Sequence, residues 1–178
     1  MGTATPSTGS TAFFEFLDHT HGEIQRQLQS LRGLMDAIDD QGLTPTTRAL
    51  ATQALTYFNE AARQHHLDEE KHIFPTLLAS QNPAVIQATE QLIQDHGWLE
   101  ENWLEIEPSI SAVASGNLWF EPAVLRQALT VFEALYLDHM HLEESVAYPE
   151  AQKRLLPSDA VGAGREMAKR RNQVAKHP

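Results

Sequence analysis

Four stretches of this chain carry apolar residues at alternating steps of three and four, and every stripe holds at least one histidine. That spacing is the seam of a helix with one buried face. Over residues 12 to 41 the seam runs Phe14, Leu17, His21, Ile24, Leu28, Leu31, Met35 and Ile38, and Gln41-Gly42 ends it. Thr44-Pro45 opens a second helix, with threonine as N-cap and proline in the first turn. Its seam is Leu55, Phe58, Ala62, His65, Glu69 and His72, and Pro75 should end or kink it. Asn82-Pro83 opens a third, with the stripe Ile86, Thr89, Ile93, His96, Glu100, Trp103, Glu107 and Ile110. Pro108 is expected to kink this helix or shift its register, and Ser115-Gly116-Asn117 to stop it. The apolar link Leu118-Trp119-Phe120 is expected to pack down on the helices. A fourth helix opens at Pro122, with Leu125, Ala128, Phe132, Leu135, His139, Leu142 or Glu143, and Val146 inward, and Pro149 marks its last turns. Ser158-Asp159 can cap a short fifth helix to about residue 174, against which Gly162 and Gly164 speak.

No strand pattern competes. The expected fold is all-α: an up-down-up-down antiparallel four-helix bundle with a short C-terminal fifth helix. Residues 1–11 are expected to form a flexible leader, 12–156 the bundle, and 157–178 a basic C-terminal helix or tail.

Two of the stripes repeat a motif, H-x-x-x-E-E-x-x-x-[F/Y]-P. The first copy is His65, Glu69, Glu70, Phe74 and Pro75; the second is His139, Glu143, Glu144, Tyr148 and Pro149, 74 residues on. On a helix, positions i and i+4 share a face one turn apart, so each copy offers an imidazole and a carboxylate side by side. A His-Gly pair precedes each copy: His21-Gly22 lies 44 residues before His65, and His96-Gly97 lies 43 before His139. The chain thus reads as two halves of the form His…HxxxE. Both glycines stand inside helices, which suggests a need for room or close helix approach.

The two halves therefore place four equivalent histidines, His21, His65, His96 and His139, and the two motif carboxylates, Glu69 and Glu143, on the inner stripes. A buried, unpaired carboxylate would cost many kcal/mol, and buried charges are paired or bound to metal. Arg63, Lys71 and Arg126 all lie off the inner stripes. A cation inside the bundle is the simplest compensation, and imidazole with carboxylate suits iron and other first-row metals. By the repeat, His21 and His65 bind one metal, His96 and His139 the other, and Glu69 and Glu143 bridge them. Among the remaining histidines, His19 falls on another face from His21, and His72 lies on the seam where it can close one end of a cavity. His66, Glu70, His141 and Glu144 point about 100° away per residue from the ligand positions and are expected to solvate the helices or stand behind the ligands.

The pattern H…HxxxE…H…HxxxE over residues 12 to 156 resembles the hemerythrin-like (HHE cation-binding) family, and the EE…FP and EE…YP endings resemble its bacterial members. The resemblance implies a di-iron centre with two carboxylate bridges and an oxo or hydroxo bridge, hence two iron ions per chain. Each metal would be short of six ligands, leaving a position for oxygen, nitric oxide, peroxide or water. The sequence departs from the oxygen-carrying hemerythrins at two points. Their third helix has HxxxH where this chain has Glu100, and their fourth has HxxxxD where this chain has HxxxE. Glu100 is expected as an added oxygen ligand. The expected function is binding or sensing of a small ligand, or iron and oxygen handling, more than bulk oxygen carriage, and binding more than enzymatic catalysis.

Two other classes compete. A ferritin-like di-iron oxidase needs E-x-x-H twice; Glu69-x-x-His72 matches, but Glu144-x-x-Ala147 fails. A metal-free helical interaction module is separable by metal analysis. The chain has no cysteine, so disulfides, iron–sulfur clusters and thiol nucleophiles are excluded. Its net charge of −11 argues against a nucleic-acid partner. That charge is uneven: from Pro157 on, five basic residues face two acidic ones, a solvated basic end. No apolar run approaches the ~20 residues of a membrane span, and no signal-peptide pattern opens the chain. Cytoplasm is the expected compartment, with a separate protein receiving any output.

Overall fold

The computed structural model describes the backbone of residues 8–174 and the side chains of residues 12–170. Residues 1–7 of the expected leader, and 175–178 of the tail, lie outside this range. The described residues are almost wholly helical, with no strand among them. The elements are α1 (Thr8–Gln41), α2 (Pro45–Thr56), a π segment (Tyr57–Ala62), α3 (Arg63–His72), α4 (Phe74–Leu78), α5 (Pro83–Ala114), α6 (Pro122–Leu142), a second π segment (Glu143–Ala147), α7 (Tyr148–Arg154) and α8 (Pro157–Val174). Each π segment joins its flanking α-helices without a break, so four long rods result: α1, α2–α3, α5 and α6–α7. α1 packs on α2, α2 on α5, α5 on α6 and α6 back on α1, closing a ring.

The rods begin and end where local chemistry requires. The Thr44 hydroxyl accepts from the Thr47 amide at 3.2 Å, while the Thr47 hydroxyl accepts from the Thr44 amide at 2.8 Å. Asn82 caps α5 by accepting from the Ala84 amide at 3.0 Å. Such caps contribute about 1 kcal/mol each. Gly42 (φ 69°) and Gly116 (φ 84°) take the left-handed backbone that ends a helix at low cost.

All eight seam residues expected in α1 are buried. The third rod differs. Its buried line is Val85, Thr89, Leu92, His96, Leu99, Trp103, Ile106, Ile110 and Val113, while Ile93 is 40% exposed. Two adjacent stripes of α5 share Thr89, His96, Trp103 and Ile110. The observed phase buries Leu99 and Ile106 and keeps the charges of Glu100 and Glu107 away from the core, which is favoured on both counts. In the fourth rod Leu129 and Tyr136 likewise take the interior in place of Ala128 and Leu135. α5 continues through Pro108. The carbonyl that proline leaves without a donor belongs to Leu104, which sits on the exposed face within reach of water.

Leu118 and Trp119 do not pack down; they are exposed, and only Phe120 joins the core. The basic C-terminal segment is docked, not merely solvated. Ala160, Ala163 and Met167 of α8 bury against Phe13, Phe14 and Leu17 of α1. A Cβ added at Gly164 would stand 3.9 Å from that of Phe13, an ordinary contact, so the docking of α8 does not depend on this glycine. Ion pairs of Arg170 with Asp68 and of Lys71 with Glu166 tie α8 to α3.

The apolar interior is split in two. One cluster includes Ile24, Ala62, Leu99 and Tyr136; the other includes Leu17, Ile73, Leu92 and Ala147. In sequence, each inner histidine falls between a member of one cluster and a member of the other, so a polar layer lies between two apolar blocks.

Candidate metal centre

That polar layer consists of His21, His65, Glu69, His96, His139 and Glu143, all buried, with both glutamates at 0% exposure. Each glutamate faces two ways. Glu143 presents Oε1 to His139 Nε2 and Oε2 to His21 Nε2, both at 3.1 Å. Glu69 presents Oε1 to His65 Nε2 and Oε2 to His96 Nε2, both at 3.5 Å. Two donor groups follow, His21-His65-Glu69-Glu143 and Glu69-His96-His139-Glu143, each with its donor atoms within 4.8 Å of one another. Either could hold a metal ion, and the two share both carboxylates.

The donor atoms are poorly satisfied without a cation. Both nitrogens of His65 and of His139, His96 Nε2, Glu69 Oε2 and both oxygens of Glu143 are buried without a hydrogen-bond partner among the described residues. Buried polar atoms are nearly always paired, so such a concentration fits a layer whose partner is a cation. The outward nitrogens are better served. Glu144 accepts from His21 Nδ1 at 2.9 Å, Glu70 from His96 Nδ1 at 2.7 Å, and Asp95 stands 3.7 Å from His139 Nδ1. Carboxylates behind ligating histidines fix the ring and raise its basicity. The contacts cross between the halves: Glu70 of the first repeat serves the second half's His96, and Glu144 of the second serves the first half's His21.

Without a metal, protons take the cation's place. Burial lowers His21 and His139, but the contacts and charge of Glu143 outweigh it and hold them at about 9 and about 10. Burial raises Glu143, but His139 and His21 outweigh it and keep it well below the usual carboxylate range. Burial and then Glu143 push Glu69 up to about 7. Burial and then the charge of His21 drive His65 down to about 3, so His65 is neutral throughout the alkaline range. Because Glu69, His21 and His139 all have raised values, the stability they lend is present at low pH and lost as pH rises through the folded-state value of each. The metal-free protein should therefore melt at a steadily lower temperature as pH rises from about 7 to about 9. A melting temperature that stays flat over that range, with chelator present, would contradict this arrangement of charge.

Glu100, expected as a ligand, is not in the layer. Its side chain is 38% exposed and pairs with Arg63 at 2.8 Å, a consequence of the phase in which α5 buries Leu99. His19 is likewise outside, 60% exposed and 3.5 Å from Glu23. His72 faces α8, 3.7 Å from Glu166, and His141 is exposed. A Cβ on Gly22 or Gly97 would meet nothing within 4 Å, so neither glycine is required for space. His21→Ala should lower metal content and melting temperature, whereas His19→Ala and Glu100→Ala should leave metal content unchanged; elemental analysis of the three variants decides this.

Two inward residues escape a reading by periodicity. The imidazole of His66 stacks on His96 at 4.1 Å and 12°, and with His96 and His139 it forms a third donor group. Near-parallel rings have no common in-plane point, so in this orientation His66 and His96 cannot share one metal. Burial first, then the neighbouring histidines, drive His66 far below its usual range, leaving a neutral ring that packs the layer's edge. The second residue is Tyr148, whose hydroxyl contacts Glu69 Oε1 and lies 3.0 Å from His21 Nε2. Burial, then Glu143 and Glu69, push this phenol well above its ordinary value, a bias that a cation in the layer would oppose.

Irregular backbone brings the motif's aromatic position inward. Nine residues separate it from the histidine, which on an unbroken α-helix is about 180° away, the opposite face. In the fourth rod, the π segment over Glu143–Ala147 winds the chain back by one residue and turns Tyr148 into the layer. In the second rod, the break between α3 and α4 at Ile73 (φ −110°) does the same for Phe74. A cleft of about 1030 Å³ between α1, the second rod and α8 reaches the layer at His65, past Phe16, Thr20, Gln27 and Gln64.

An all-helical protein whose core holds a buried histidine–glutamate layer able to bind metal is the class that fold and site define. The sequence matches the hemerythrin HHE cation-binding domain over residues 12–151, and the chain belongs to that family. It is also 28% identical over 158 residues to an uncharacterized protein of Haemophilus influenzae, covering 88% of each chain. None of the helices among the described residues is long and apolar enough to cross a membrane.

Proposed function

We propose that this chain is a non-haem di-iron protein that binds oxygen, nitric oxide or a related small ligand at a carboxylate-bridged centre. In this reading the four rods form an antiparallel up-down-up-down bundle. His21 and His65 hold one iron, His96 and His139 the other, and Glu69 and Glu143 span both. The observation that carries it is the set of buried, unpartnered donor atoms on those residues, which a pair of cations would satisfy. Iron is the metal favoured by the family and by a donor set of imidazole and carboxylate.

With Glu100 at the surface, each iron keeps two histidines and two carboxylate oxygens, fewer protein donors than six-coordinate iron takes. The cleft that ends at His65 offers a small molecule a route to the layer. One iron is a nitrogen short of the oxygen carriers' HxxxH set, which favours sensing, or iron and oxygen handling, over bulk carriage. A cytoplasmic location and an output through a separate protein belong to the same proposal. Anaerobic purification from iron-replete cells should give close to two irons per chain, and optical spectra should change on adding oxygen or nitric oxide. A content near one, or spectra indifferent to both gases, would overturn it.

A further inference from the structure

The two repeats place a ring in equivalent positions, and only one carries a hydroxyl. Phe74 lies 5.4 Å from His96 at 27°, and Tyr148 lies 5.4 Å from His21 at 23°. Phenylalanine thus satisfies this packing position, and the oxygen of Tyr148 is an addition to it. That oxygen is not directed at water or at a backbone carbonyl. It sits against Glu69 Oε1 and 3.0 Å from His21 Nε2 in a residue only 3% exposed. Both neighbours are donor atoms of the same group, His21-His65-Glu69-Glu143.

Neighbouring donors around an octahedral ion with bonds of about 2.1 Å stand roughly 3 Å apart. The contact between His21 Nε2 and Glu143 Oε2, at 3.1 Å, has that spacing, and so does the contact between His21 Nε2 and the phenol oxygen. Resting on the proposed di-iron reading, we infer that Tyr148 is a further ligand, binding as a phenolate to the iron held by His21 and His65. As the ion enters, the O–H bond gives way to an O–metal bond and the proton leaves to solvent, as happens for other protic ligands. No electrons are transferred. The two irons then differ. The His21 side gains an anionic oxygen, whereas Phe74 gives the His96 side none.

Phenolate bound to ferric iron produces a broad visible charge-transfer band and, under excitation within it, enhanced ring vibrations in the resonance Raman spectrum. The full-length protein should show both after loading with ferric iron. Tyr148→Phe should lose both while keeping its fold and the six other donor residues, since Phe74 shows that the equivalent packing position accepts phenylalanine. Absence of phenolate vibrations from the iron-loaded unmutated protein would overturn the inference whether or not the variant folds. So would a Tyr148→Phe variant with an unchanged visible spectrum. Failure of the unmutated protein to take up iron would instead remove the di-iron reading, and with it the role of Tyr148.

Discussion

Chelating the metal should lower the melting temperature by about 10 °C or more. The layer contains two carboxylates at 0% exposure and eight donor atoms without hydrogen-bond partners among the described residues. In the metal-free state protons on His21 and His139 offset the charge only in part, and several donors stay unsatisfied. A cation that binds only the folded state at a thousand times its dissociation constant adds ~4 kcal/mol. For a domain of this size each kcal/mol moves the melting temperature by about 2–4 °C. Thermal melts of metal-loaded and chelated protein give the comparison directly. Coincident melting curves would mean that the layer is satisfied by something other than metal.

Replacing one carboxylate should empty both halves. Glu143 is 3.1 Å from His139 through one oxygen and 3.1 Å from His21 through the other, so Glu143→Leu deletes a donor from each group at once. Metal content should fall from about two per chain toward none. The same change removes a buried charge and fills its space with an apolar side chain. Replacing buried ionic groups by hydrophobic ones of similar volume is often neutral or stabilising by ~1–4 kcal/mol. The metal-free variant should therefore melt within a few degrees of the metal-free parent, or above it. Retention of one tightly bound metal would show that Glu143 serves a single ion and does not bridge.

The histidine positions were readable because they sit in phase with large apolar residues on each rod. His21 between Leu17 and Ile24 could point nowhere else once that stripe was buried. Glu100 falls outside the layer because α5 carries two adjacent stripes that share Thr89, His96, Trp103 and Ile110; only packing against α2 and α6 chooses between them. The π segments leave no compositional trace, and without them Tyr148 falls on the outer face. The inward turn of His66 depends on the same backbone, since the first π segment ends three residues before His65. Glu70 and Glu144 were visible as the second glutamate of each motif. Their partners were not, because pairs separated by 26 and 123 residues depend on how the rods are arranged in space.

The crossed contacts of those two glutamates make the halves mutually dependent. The first half carries Glu70, whose histidine lies in the second; the second carries Glu144, whose histidine lies in the first. Either half alone would have an inner histidine with no carboxylate behind it and a carboxylate with nothing to hold. The sequence is doubled, but the site is not two copies side by side. It is an interlock, closed by reciprocal exchange, in which neither half can set its own histidine without the other.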